Sequence, residues 1–223
     1  MARARRSLLR HILSEDVGTK DWTTEALIPR SARGKGRIVS RNSGVVAGLP
    51  LVREIYGAVD RRIRVAFRKK EGAWIRRGEV VATVHGPMRS LLTGERVALN
   101  FLSHLSGIAT LTRRFVDKVH AFPVVIMDTR KTTPGLRSQE KYAVRCGGGV
   151  NQRLNLGEAV MIKDNHLEAL DYDWGHLAKS LRRRPRKQVT VEVDRLSFLA
   201  RAAELQPDVI LLDNMSVRDV RKA

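Results

Sequence analysis

Over roughly the first hundred residues, apolar and polar positions alternate in short runs. Gly36–Arg41 (GRIVSR) and Arg62–Arg68 (RIRVAFR) place apolar side chains at every second position, the period of a half-buried strand. Glu71–Pro87 (EGAWIRRGEVVATVHGP) is punctuated by glycines and contains EVVATV, a further strand. These runs predict an α+β domain with a small antiparallel sheet. From Arg89 to Val119 the period lengthens. Leu91, Leu92, Val97, Phe101, Leu102, Leu105, Ile108 and Leu111 recur at helical spacing. Gly107 falls inside that run, where it predicts a separation or bend between two helices and a hinge between domains spanning 1–107 and 108–223.

Beyond the helical run, strand-like and helix-like segments take turns. PVVIMD precedes SQEKYAVRC, AVMIKD precedes GHLAKSLRR, VTVEVD precedes FLARAAEL, and VILLDN comes last. Such alternation implies parallel strands joined by crossover helices, in an α/β sheet or barrel. Continuous Val/Ile/Leu runs are what strands buried on both faces require. Four strands are expected: Pro123–Asp128, Ala159–Asp164, Val189–Asp194 and Val209–Asp213.

Polar residues gather at the carboxyl end of each expected strand. The first delivers Asp128, Thr129, Arg130 and Lys131; the second Lys163, Asp164, Asn165 and His166; the third Glu192 and Asp194; the fourth Asp213 and Asn214. In a parallel α/β barrel these ends form one rim, where ligands bind. Arg130, Lys131 and Lys163 suit carboxylates or phosphates, Arg through paired hydrogen bonds and Lys as a point charge. Glu192 and Asp213 suit ribose hydroxyls or a Mg²⁺ that travels with a diphosphate. Asp164 and Asp194 are read instead as surface or helix-capping carboxylates. Gly147–Gly149 permit a tight turn, with Arg153 shortly after.

Composition narrows the class. A hydrophobic content of 43% marks a globular chain. No stretch approaches the ~20 apolar residues of a membrane helix, so no membrane partner is expected. The basic start, MARARRSLLRHILSED, lacks a small-residue cleavage site and soon meets Glu15 and Asp16, which speaks against a secretory signal or a transit peptide. The single cysteine, Cys146, excludes an internal disulfide framework and a cysteine-based metal cluster, and a cytoplasmic location is expected. The net charge of +19 favours anionic partners. Its densest runs, Arg61–Lys70 and Ser180–Lys187, carry no interleaved aromatics and no nucleic-acid motif. They read as solvated faces, and nucleic acid is not expected as a partner.

Six segments taken together resemble the quinolinate phosphoribosyltransferase family. They are ERVALNFLSHLSGIAT (Glu95–Thr110), DTRKTTPGLR (Asp128–Arg137), EKYAVRCGGGVNQR (Glu140–Arg153), VMIKDNH (Val160–His166), VEVD (Val191–Asp194) and ILLDN (Ile210–Asn214). GTKDWTTEALIP and SGVVAGLP extend the likeness toward the start. The resemblance implies an N-terminal α/β sandwich followed by an incomplete parallel α/β barrel. It implies a reaction joining quinolinate to phosphoribosyl pyrophosphate, with Mg²⁺, to give nicotinate mononucleotide, pyrophosphate and CO₂ in NAD biosynthesis. Carried over, Arg130, Arg153 and Lys163 hold the two carboxylates of quinolinate. Thr129 and Lys131 surround the substrates, and Glu192 and Asp213 hold the ribose. Lys131, Glu192 and Asp213 are the expected catalytic set. Arg96 is expected to reach a neighbouring subunit's site in a homodimer.

Two departures bear on function. The family's Asn-His-Arg triplet is Asn151-Gln152-Arg153 here, and Gln donates a hydrogen bond without carrying charge near neutral pH. The glycine-rich strand ends that bind the ribose phosphate in the family do not follow ILLDN in these 223 residues. Weak quinolinate binding, negligible turnover and a tendency to aggregate are therefore expected of the 223 residues alone. A truncated, non-catalytic paralogue acting as a dimerising or regulatory protein is the alternative from another class.

Overall fold

Alternation along Arg33–Val39 makes a strand whose Gly34, Gly36 and Ile38 turn inward while Arg33, Lys35 and Arg37 stay exposed. A computed structural model describes residues 2–183 and 187–223, so the basic run Ser180–Lys187 lies partly outside the described residues. By packing, the chain divides into two units, Met1–Gln152 and Arg153–Ala223.

The first unit begins with helices α1 (Ala2–Val17) and α2 (Trp22–Leu27), then strands β1 (Arg33–Val39) and β2 (Gly44–Val45). Helix α3 (Leu49–Val59) leads to β3 (Arg64–Phe67), β4 (Trp74–Ile75) and β5 (Val80–Pro87). Helices α4 (Met88–Val119) and α5 (Arg137–Cys146) complete it. The predicted antiparallel sheet is present, in the order β1-β5-β3, and β2 pairs with β4. At Gly34 a Cβ would lie 2.2 Å from Met88 Cε, the flexible end of a side chain on α4, which would have to turn aside. The core lies between sheet and helices. It takes Leu49, Val52 and Ile55 from α3 and Val97, Ala98, Phe101 and Leu105 from α4. Each large apolar side chain buried this fully contributes about 1.5–3 kcal/mol.

Helix α4 corrects one expectation. It runs through residue 107 without a break, and Gly107 neither separates nor ends it. Gly107 is solvent-exposed with open space around it. An exposed helical glycine costs roughly 1 kcal/mol, and burial of Leu102 and Leu105 before it and Ala109 and Thr112 after it outweighs that cost. The expected strand Pro123–Asp128 is a second correction. Among the described residues only an isolated parallel bridge joins this run to another segment, Met127 to Val150, and Val124, Val125 and Met127 are exposed. A strand needs a ladder, and here Val150 alone supplies one, through Val150 N to Ile126 O (2.8 Å) and Asp128 N to Val150 O (3.1 Å).

The second unit holds β6 (Val160–Ile162), α6 (Asp164–Glu168), α7 (Trp174–Arg182), β7 (Val189–Val193), a 3₁₀ turn (Leu196–Phe198), α8 (Leu199–Glu204), β8 (Val209–Leu212) and α9 (Val217–Lys222). The last three expected strands thus form, and they pair in parallel in chain order, β6-β7-β8. Every residue of the central β7 is buried, including Thr190 and Glu192. Ile162, Leu167, Leu177, Val191, Val193 and Ala202 form the core. The architecture is α/β: an antiparallel sheet covered by helices, followed by a parallel strand-helix region.

Candidate active site

In the first unit the candidate residues lie on a loop after the Met127 bridge and on α4. Asp128 opens the loop with a carboxylate that is 6% exposed. Its Oδ1 accepts from Lys141 Nζ and from Gln152 N (2.8 Å), and its Oδ2 accepts from Asn151 Nδ2 (2.5 Å). Lys141, on α5, also donates to Gln152 O at 2.9 Å. The Asp at the mouth of the expected strand is therefore a structural anion. A buried charge survives only when paired and hydrogen-bonded, as here. Thr129 and Lys131 are exposed, and Thr129 Oγ1 accepts from Lys131 N at 3.1 Å. Arg130 is half-buried, and its Nε is buried without a hydrogen-bond partner among the described residues. A desolvated donor of this kind calls for an acceptor from outside the chain. Arg96 stands exposed on α4.

From α5, Glu140 Oε2 accepts from Thr133 N (3.1 Å) at the far end of the loop, while its Oε1 lies 2.8 Å from His104 Nε2. Burial pushes this carboxyl up, but the hydrogen bonds from Thr133 and His104 outweigh it and hold the group below its ordinary value. Glu71 accepts from Gly48 N and Leu49 N, both at 2.8 Å, and so caps α3. Cys146 lies against Glu71, with Sγ to Oε2 at 3.7 Å. Burial pushes its thiol up to about 11.

In the second unit Lys163 leaves β6 and begins α6. Its backbone N donates to His166 Nδ1 (3.0 Å), and its ammonium donates to Glu192 Oε2 at 2.7 Å. Glu192 reaches that pair from buried β7, with 10% of its side chain exposed. Asp213 follows β8, where its N donates to Val193 O (2.9 Å) and its carboxylate accepts from Asn214 Nδ2 (3.0 Å). Arg153 donates from Nη1 to Ala159 O at 3.0 Å. Asp164 bonds the next backbone N at 2.8 Å, and Asp194 pairs with exposed Arg195 at 2.9 Å. Both are local partners, in keeping with the capping or surface role read for them.

The structure thus joins Lys163 to Glu192 and sets Asp213 at the end of the adjoining strand. Thr129, Arg130 and Lys131 share one loop, in the other unit. Sequence reasoning missed Lys141, Asn151, Glu140 and His104. The available signal was the adjacent opposite charges Glu140 and Lys141 on the inward face of an amphipathic helix.

Comparison with known proteins places the chain. The family described as quinolinate phosphoribosyl transferase, N-terminal domain, matches residues 21–106, and the corresponding C-terminal domain matches residues 108–223. Their seam falls inside α4, whereas packing divides the chain after Gln152. A nicotinate-nucleotide pyrophosphorylase [carboxylating] of Mycobacterium leprae is 43% identical over 223 residues, covering 96% of this chain and 76% of the relative. A probable nicotinate-nucleotide pyrophosphorylase [carboxylating] of Synechocystis is 42% identical over 212 residues, covering 93% of this chain and 70% of the relative. The crystal structure of NadC from Streptococcus pyogenes superposes with a TM-score of 0.90 at 40% identity, covering 97% of this chain and 77% of that one. With both family domains matched in order and relatives alike over nearly its whole length, the chain belongs to the quinolinate phosphoribosyltransferase family.

Proposed function

We propose that the protein transfers the phosphoribosyl group of phosphoribosyl pyrophosphate to quinolinate, with decarboxylation, to give nicotinate mononucleotide, pyrophosphate and CO₂ in NAD biosynthesis. The observation that carries this reading is the 42–43% identity, across 93–96% of the chain, to relatives named for this reaction. Arg130, Arg153 and Lys163 bind the two carboxylates of quinolinate. The buried Nε of Arg130, without a hydrogen-bond partner among the described residues, supports that role. Thr129 and Lys131 lie beside the substrates, Lys131 next to the diphosphate. Glu192 and Asp213, at the ends of adjoining parallel strands, hold the ribose.

In the reaction the pyridine nitrogen forms a bond to the anomeric carbon as the carbon–oxygen bond to pyrophosphate breaks. Positive charge grows on the ribose, and the Glu192 and Asp213 carboxylates stabilise it electrostatically. Cations on the two carboxylates hold the ring nitrogen toward that carbon. The bond from ring carbon to the 2-carboxylate then breaks. CO₂ leaves, the electron pair stays on the carbon beside the now cationic nitrogen, and a proton from water replaces it. The two carboxylates also suit a hydrated Mg²⁺ carried by the diphosphate, since Mg²⁺ retains water and prefers oxygen donors. When bound, it would neutralise charge on the departing pyrophosphate. The working form is a cytoplasmic homodimer in which Arg96 reaches the partner's site.

The test is product identity. The protein as its own cell makes it, given quinolinate labelled in its 2-carboxylate, phosphoribosyl pyrophosphate and Mg²⁺, should yield nicotinate mononucleotide and labelled CO₂ in equal amounts, and neither without phosphoribosyl pyrophosphate. Product from nicotinate but none from quinolinate would assign a different acceptor and overturn the proposal.

A further inference from the structure

The loop that carries Arg130 and Lys131 is gripped at both ends by one helix. At its start Asp128 is tied to Lys141, and through Gln152 and Asn151 to the segment that continues into Arg153. At its end Thr133 N donates to Glu140, which His104 of α4 holds from the other side. Glu140 and Lys141 are consecutive residues of α5, 8% and 3% exposed. Side chains at consecutive helical positions diverge by roughly 100°. A helix turn with opposite charges at neighbouring positions therefore offers two fixed points of opposite polarity. One receives a carboxylate and the other a backbone N–H. Within Thr129–Thr132 the ties are local, Lys131 N to Thr129 Oγ1 at 3.1 Å and Thr132 N and Oγ1 to Arg130 O, and Arg137 Nε of α5 reaches Thr132 Oγ1 at 3.1 Å.

We propose that Glu140 and Lys141 are positioning residues. Together they hold the ends of the Asp128–Thr133 loop at a set distance and thereby present Arg130 and Lys131 to the anionic ligand. This rests on the reading of Arg130 as a quinolinate-binding residue. Neither positioning residue need touch the ligand.

Two variants separate the grips. Glu140→Ala frees the loop's end. The double variant Asp128→Asn/Lys141→Met removes the buried pair without leaving a lone charge behind. Each is compared with wild type, with Arg130→Ala, and with Val52→Ala, a cavity in α3 of the same unit that destabilises without touching the loop. Quinolinate affinity by calorimetry should fall roughly tenfold or more in both grip variants, as displacement of a binding group predicts, and stay at the wild-type value in Val52→Ala. Amide exchange at Thr132 and Thr133 should quicken in Glu140→Ala through local opening, with exchange in α4 unchanged.

If affinity in the grip variants matches wild type while Arg130→Ala binds weakly, the positioning idea is wrong and the functional reading stands. An equal loss in Val52→Ala would trace the effect to global stability and also overturn it. If Arg130→Ala binds as wild type does, the functional reading of that residue fails. Amide exchange then decides alone whether α5 sets the loop, and unchanged exchange at Thr133 ends the proposal.

Discussion

Arg130 differs from the other cations of its loop in being half out of water with a buried Nε that nothing in the described chain satisfies. A charge-assisted hydrogen bond is worth ~1.5–3 kcal/mol, so Arg130→Ala should weaken quinolinate binding roughly 10- to 150-fold in a calorimetric titration. Cys146 and two tyrosines of the same unit hold their protons more tightly than they would in water. Burial pushes the Cys146 thiol from 9.0 to about 11 and the Tyr56 phenol from 10.0 to about 12, and it also raises Tyr142, beside Glu71. Each folded value lies above the unfolded one, so the folded state keeps protons that the unfolded state gives up. The contribution of Cys146 to stability is complete below pH 9 and declines as pH rises from 9.0 toward 11, and that of Tyr56 declines from 10.0 toward about 12. The urea midpoint should therefore drop between these pH values, and Cys146 should alkylate far more slowly in native than in urea-unfolded protein. Rapid native alkylation near pH 8 would contradict its half-buried place against Glu71.

Among the elements, the join between α5 and α4 depends on Gly147. A Cβ there would lie 2.5 Å from Ala109 O and 2.6 Å from Thr112 Cβ, both on α4, so one helix would have to move. Gly147→Ala should cost about 1–3 kcal/mol of stability, read as a shift of the denaturation midpoint at unchanged slope. The glycine triplet was legible as a turn, but this close approach was not, because its partner lies in another helix. The same contrast holds elsewhere. Alternation was enough to find β1, β3 and β5, and apolar runs located β6, β7 and β8. The two-residue strands β2 and β4 are too short to leave a period. The apolar run at Pro123–Asp128 has the composition of a strand but lacks a neighbour to pair with beyond Val150. At the site, Lys163, Glu192 and Asp213 could be read from polar residues closing apolar runs. The Asp128–Lys141 pair could not, since thirteen positions separate its members and no local pattern links them.

For the molecule as a whole, +19 is the dominant electrostatic fact. Part of it is arranged unfavourably: Lys35 and Arg64 flank His85 in cross-strand register, and Arg33 and Arg37 lie along the same exposed edge. Like charges gathered this closely repel one another when little salt screens them. Salt that shortens the Debye length from roughly 20–30 Å to about 8 Å should screen them and raise the melting temperature. A melting temperature that falls on the same addition would mean that attractive pairs, such as Lys163–Glu192 and Lys69–Glu79, outweigh the repulsion. Helix α4 carries a different constraint. Its 32 residues form a screw about 48 Å long, and the two family regions meet within it, at residues 106 and 108. One residue added or lost at that seam would rotate everything downstream by about 100°. Thr110, which receives Val45 N at 2.8 Å, would swing off its partner, and so would Ala109 and Thr112 from Gly147. The seam is thus phase-locked. Hybrids spliced there from two relatives will keep their packing only when the joined lengths agree, because even a whole-turn insertion slides everything downstream about 5.4 Å along the axis, so the halves inherit a common thread count even if their sequences drift apart.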